Sequence, residues 1–177
     1  NHCVVFLGGQ PGSGKSNFTS QDDCLNGYIT IDGDRYRKFH PHCEEIKKYD
    51  MENYAARTQS FVNRCIERLV EELSNQGYNL IIEGTLRDPS VPISTCKYLK
   101  EKGYQTDLIF IAVDAVTSWQ STINRAKILQ ELQEVPRFVP VDKYDFIVTN
   151  LPENMKKIER VGCFDSIRIL DREYNIL

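Results

Sequence analysis

No apolar run in the 177 residues approaches the ~18 needed to cross a membrane as a helix. No charged start, apolar stretch and cleavage site mark a secretory signal. Basic charge is in short supply: 22 Lys and Arg stand against 25 Asp and Glu, a net charge of −3. That balance argues against a general nucleic-acid binder and leaves room only for a local basic groove. Glycine and proline number ten and seven, which excludes collagen-like and low-complexity chains. Internal repeats and Ser/Pro linkers are also missing. Six cysteines are present (Cys3, Cys24, Cys43, Cys65, Cys96 and Cys163), but none stand at paired spacing. Reduced thiols in a cytoplasmic protein are expected, not a disulfide framework. The first residue is Asn1 and not Met, so upstream residues are expected to have been cut or replaced.

What remains is a chain with 41% hydrophobic and 27% charged residues, long enough to bury a core as one domain over residues 1–177. Short apolar runs alternate with longer amphipathic stretches. The runs Cys3 to Leu7, Tyr28 to Ile31, Leu80 to Ile82, Leu108 to Val113 and Ile167 to Leu170 suit strands buried on both faces. Helices are expected over Tyr54 to Leu73, Pro92 to Lys102, Thr117 to Leu132 and Pro152 to Val161, three of them closing at Gly77, Gly103 and Gly162. This alternation predicts a doubly wound α/β fold with a mostly parallel sheet. Ligands of such sheets sit outside the carboxyl ends of the strands. Gly8-Gly9, Asp32, Glu83 and Asp114 would all fall on that edge.

The first run leads directly into Gly9-Gln10-Pro11-Gly12-Ser13-Gly14-Lys15-Ser16, a full match to G-x-x-x-x-G-K-[ST] between a predicted strand and a predicted helix. Chance would give such a match in roughly one chain in a hundred or fewer. Its glycines let backbone N–H groups close around phosphate oxygens, with the positive end of the next helix behind them. Lys15 would reach the β- and γ-phosphates and the Ser16 hydroxyl would ligate Mg²⁺. The fold expected is therefore that of a P-loop NTPase of the nucleoside-kinase-like kind. A guanine-nucleotide switch would carry N-K-x-D, which is missing, and a motor would need more chain. Small phosphoryl-transfer kinases remain.

Such kinases need a base for the acceptor hydroxyl and cations for the γ-phosphate. Asp34, one step beyond the second strand, suits the base better than Asp32, which reads as a turn cap. Glu83, ending the third strand, would act on Mg²⁺ or its waters. Thr85 and Arg87 follow over the cleft, and Arg87 suits a forked contact to an anion as well as it suits a solvated loop charge. Spacing alone reads Arg125 as a helix-surface charge. Arg137 lies in a loop or lid bracketed by Pro136 and Pro140. His40-Pro41-His42-Cys43 gathers three metal-capable side chains, but without a partner pair elsewhere it makes a poor zinc site.

These blocks together resemble the zeta toxin kinases, the toxin halves of bacterial epsilon–zeta systems. The resemblance rests on Leu7 to Ser16, Ile31-Asp32-Gly33-Asp34 with His40-Pro41, Ile82-Glu83-Gly84-Thr85-Leu86-Arg87, Val91-Pro92-Ile93 and Asn150-Leu151-Pro152. It runs in order from about Val4 to Glu173. It implies transfer of the ATP γ-phosphate to the 3′-hydroxyl of UDP-N-acetylglucosamine, with Mg²⁺, and a small helical antitoxin as partner; neither nucleic acid nor membrane is expected as one. Carried over by position, Lys15 and Ser16 belong to the nucleotide loop and Asp34 to the general base. Glu67, Thr85 and Arg87 fall on substrate contacts, and Arg125 and Arg137 on the γ-phosphate arginines. Two departures stand out: the chain stops soon after its last predicted strand, and the stretch between Arg125 and Arg137 differs in character. Another UDP-sugar, a different small hydroxyl compound, or nucleotide binding without turnover stay open as alternatives.

Overall fold

The computed structural model describes residues 2–21, 23–132, 134, 136 and 138–177. Five strands form one parallel sheet: β1 (Cys3–Gly8), β2 (Ile29–Ile31), β3 (Leu80–Gly84), β4 (Gln105–Ile111) and β5 (Ser166–Leu170), in the order β2-β3-β1-β4-β5. Alternating residues feed two cores. Val4, Phe6, Leu80, Leu108 and Phe110 pack on one face with Val70, Leu99, Leu151 and Ile158 of the helices. Val5, Leu7, Ile81, Ile109 and Ile111 pack on the other with Phe18 and Leu25. Burial on both faces explains why these strands read as unbroken apolar runs rather than alternating ones.

The helices are α1 (Lys15–Gln21), α2 (Gly33–Tyr36), α3 (Cys43–Tyr49), α4 (Tyr54–Asn75), α5 (Ser90–Glu101), α6 (Ala115–Glu131) and α7 (Val141–Val161). The main departure from the sequence reading is α7, which begins at Val141 and not at Pro152. Proline removes one i→i−4 hydrogen bond and ordinarily ends a helix. Here Pro152 lies on the exposed side, while Tyr144, Ile147, Leu151, Asn154 and Ile158 bury a stripe at three- and four-residue steps on both sides of it. That continuous stripe carries the helix past the proline. The fourth strand also sits earlier than its apolar run. Ala112 and Val113 have already left it, and the Val113 carbonyl accepts a hydrogen bond from the Gln10 side chain.

Register sets the functional edge. Leu7 pairs with Glu83 and Gly8 with Gly84, while Ile31 pairs with Ile82. Asp32 therefore emerges level with Glu83, and both stand beside the point where β1 turns into the phosphate loop. After β3 the chain crosses to the other side of β1, through β4 and β5, so the loop rises between oppositely wound halves.

Candidate active site

The loop from Gly9 to Ser16 joins β1 to α1 and is folded on itself. Gly12 adopts φ +80°, and a Cβ there would stand 2.1 Å from the Ser118 carbonyl of α6. Only glycine permits both the dihedral and that approach. The Lys15 ammonium donates to the carbonyls of Gly9 (2.6 Å) and Gln10 (3.1 Å). Burial lowers its pKa from the ordinary 10.5 to about 8. The Glu83 carboxylate opposes this, Arg125 adds to it, and Asp32 and Asp34 oppose it more weakly. The Ser13 hydroxyl is buried with no protein partner. A polar atom taken out of water in this way is costly unless a ligand satisfies it.

Glu83 carries the same signature. Its Oε1 is buried without a protein partner. Desolvation holds the carboxyl above the usual range and the Asp32 charge pushes it further, while Lys15, Arg35 and the Ser16 hydroxyl pull it back. Two carboxylates and a hydroxyl beside a phosphate loop suit a hard cation. Among the described residues no three His, Cys, Asp or Glu cluster as a metal site, but Mg²⁺ typically takes only one or two carboxylates along with phosphates and waters. Ser16 and Glu83 fit that ion.

Asp32 caps α2, accepting the Asp34 backbone N–H at 3.0 Å, which is the structural role its position suggested. Asp34 sits in the first turn of α2, its carboxylate paired with Arg37 at 2.9 Å. Across from it, Thr85 and Arg87 follow β3 in a loop with two anchors. Leu86 is buried at φ +55°, with its side chain over Gly8, where a Cβ would come within 2.3 Å of Leu86 Cδ1. Asn154 of α7 donates to the Leu86 and Arg87 carbonyls at 3.1 and 3.0 Å.

A cleft of about 1320 Å³ joins these parts. Lys15, Ser16, Asp34, Glu67, Glu83, Thr85, Arg87 and Arg125 all line it. Arg125 is half-buried on α6, lines the cleft and its charge is felt at Lys15, so it does not sit as the solvated helix-surface charge that spacing favoured. Glu67 and Arg87 are exposed at the cleft wall. Arg137 lies outside the described residues; Pro136 and residues 138–140 carry no regular secondary structure.

A family model described as Zeta toxin matches residues 2–177. The chain belongs to the Zeta toxin family. It is 36% identical over 173 residues to Toxin zeta of Streptococcus pyogenes, covering 96% of this chain and 60% of that protein. It is 37% identical to Toxin PezT of Streptococcus pneumoniae, covering 68% of it. A solved structure from the PezAT chromosomal toxin–antitoxin system of that organism superposes with a TM-score of 0.87 at 35% identity, over all of this chain and 70% of the other. A protein described as a kinase, from Chloroflexus aurantiacus, shares the fold at TM-score 0.62 and 10% identity, over 82% of this chain and 77% of its own.

Several residues that shape this cleft or its walls were not singled out in the sequence. Arg37 stands three residues from Asp34, a helical ion-pair spacing that signals the contact. Asn154 is a polar residue at an apolar-stripe position of α7. Ser118 and Tyr144 give no signal in the sequence, because only the fold brings them to the loop. The remaining candidates resolve as structural groups. His40 Nδ1 accepts the His42 backbone N–H and its ring packs edge-on to Phe61 at 5.2 Å. The six cysteines are thiols and not disulfides; burial pushes the Cys96 thiol up to about 12, where it is inert as a nucleophile. No helix among the described residues is long and apolar enough to cross a membrane.

Proposed function

We propose that this chain is the kinase domain of a toxin that transfers the γ-phosphate of ATP to the 3′-hydroxyl of UDP-N-acetylglucosamine. The observation that carries this reading is the convergence in one cleft of Lys15, Glu83 with its unpartnered oxygen, and the Asp34 carboxylate. In the proposed step, Asp34 accepts the proton of the acceptor hydroxyl as its oxygen bonds to the γ-phosphorus and the bond to the ADP oxygen breaks. Lys15 and Arg125 meet the charge that develops on the transferring group. Arg87 binds the acceptor's diphosphate, while Thr85 and Glu67 hydrogen-bond its sugar hydroxyls. Mg²⁺, held by Ser16 and Glu83, would supply charge neutralisation between the phosphates. A small helical antitoxin covering the nucleotide cleft is proposed as the partner, by kinship with the PezAT system.

An acceptor screen tests this reading. The protein is incubated with ATP and Mg²⁺ and a panel of UDP-sugars and other hydroxyl compounds, and products are weighed by mass spectrometry. One added phosphate on UDP-N-acetylglucosamine, lost in both Arg87→Ala and Glu67→Ala, is expected. Selective phosphorylation of a compound lacking UDP would replace the acceptor and leave the kinase. Nucleotide binding with no product across the panel would favour a binding protein without turnover.

A further inference from the structure

Asp34 rides on a short helix. The helix that carries it, α2, has four residues and buries none of them. Gly33 backs closely onto Val62 and Ile66 of α4 and Tyr36 packs on the core, but a single turn of helix does not by itself fix an exposed side chain such as that of Asp34. Its carboxylate is gripped by Arg37, in the turn that follows, only 14% exposed. Its Nε donates to Asp34 Oδ1 at 2.9 Å. Its Nη1 donates to the Ala55 carbonyl at 2.8 Å and to Thr58 Oγ1 at 2.9 Å, and its Nη2 to Gln59 Oε1 at 2.9 Å. The acceptors on α4 are themselves tied down: Thr58 is fully buried and donates to the Tyr54 carbonyl at 2.7 Å, and Gln59 donates to Asn63 at 2.8 Å.

The guanidinium is thus planar, fixed at three points on the first two turns of a 22-residue helix, with its remaining edge turned to the carboxylate. The geometry points to Arg37 as the positioning residue of the proposed base: it transmits the rigidity of α4 to Asp34 and sets where that carboxylate meets the acceptor hydroxyl. This rests on reading Asp34 as the base. A displacement of about 1 Å at a reacting group is enough to cost roughly 10²-fold in rate, so the bracket has leverage that its distance from the phosphates conceals. Charge alone does not replace it. A lysine has one donor centre on a flexible stem and cannot serve Asp34 and three α4 acceptors together.

The test uses the full chain with ATP and UDP-N-acetylglucosamine. Arg37→Gln and Arg37→Lys are expected to lower kcat about 10–100-fold, with the KM for ATP changed less than about twofold and nucleotide binding retained. In an Asp34→Asn background the same Arg37 substitutions are expected to add almost nothing, because the group they position is already disabled. A purely structural role would instead lower the melting temperature and leave kcat per folded molecule intact, or would cost the same factor in both backgrounds; either result overturns the inference. If Arg37→Gln does not fold, Gln59→Ala, which loosens one anchor and keeps the ion pair, decides: a kcat loss that vanishes with Asp34→Asn supports positioning, and an unchanged kcat overturns it. Wild-type turnover by Asp34→Asn would overturn the base reading itself, a different outcome from an inert Arg37.

Discussion

The side-chain amide of Gln10 donates to the hydroxyl of Ser118 at 3.1 Å, tying the second residue of the phosphate loop to the first turn of α6. The Ser118 hydroxyl is shared in turn with Tyr144 on α7, whose own hydroxyl donates to the Ala115 carbonyl at 2.7 Å. Gln10 and Ser118 are both buried, so these polar groups stabilise the fold only as a satisfied set. Ser118→Ala should lower stability by about 1–3 kcal/mol and weaken nucleotide binding through the loosened loop. Chemical denaturation and nucleotide titration of the same variant check both halves.

Gly12→Ala should be more severe at the site than in the fold. Its Cβ would collide with backbone, the Ser118 carbonyl, from which no side-chain movement offers relief. Binding of nucleotide is expected to fall below detection by calorimetry, with far-ultraviolet circular dichroism unchanged.

Lys15 makes the site sensitive to pH in a definite direction. With a folded value of about 8 against 10.5 when unfolded, the unfolded state holds more protons between those limits. Stability of the ligand-free protein should therefore rise with pH across that window. Lys15→Met should abolish that rise, be more stable than wild type at pH 7 by about 1–3 kcal/mol, and have no transferase activity. Nucleotide affinity should move the opposite way, declining above pH 8 as the ammonium is lost. Titrations of the slow Asp34→Ala variant from pH 7 to 9.5 measure this without turnover.

Asp34→Ala should keep nucleotide binding and lose about 10²–10⁴-fold in transfer. An equal collapse of nucleotide affinity would move Asp34 into the metal-binding set.

Glu83→Gln should raise the melting temperature of the ligand-free protein and remove the gain in nucleotide affinity that Mg²⁺ brings. The carboxyl is held above its ordinary range by burial. Its ionised form therefore burdens the fold as pH rises through that raised value, and a neutral isostere lifts the burden. Thermal melts and titrations with and without Mg²⁺ separate the two effects.

The phosphate loop and the parallel sheet were legible because each is written in contiguous residues: Gly9 to Ser16 in one stretch, and the strands as apolar runs. Asp32, Asp34 and Glu83 were legible for a related reason, since each ends or closely follows such a run and strand ends share an edge. Arg125 was not, because a helix face carries charge wherever it meets water, and only its place in the cleft beside Lys15 distinguishes this arginine. The first half of α7 was hidden by Pro152, whose local rule yields to a buried stripe that spans it. Ser118 and Tyr144 were invisible for want of any local pattern, and Asn154 showed only as a polar break in an apolar stripe; all three act through partners 26–108 residues away.

The pairing of Leu7 with Glu83 and of Ile31 with Ile82 makes the cleft an all-or-none assembly. A slip of one residue in β3 would present Ile82 or Gly84 where Glu83 stands and turn the carboxylate to the opposite face. Asp34, Lys15 and Arg125 arrive on three other elements, so no fragment of the sheet carries the set alone. A chain mispaired at its centre would separate these groups. The geometry of this site depends on the β1–β3 and β2–β3 pairings being in register.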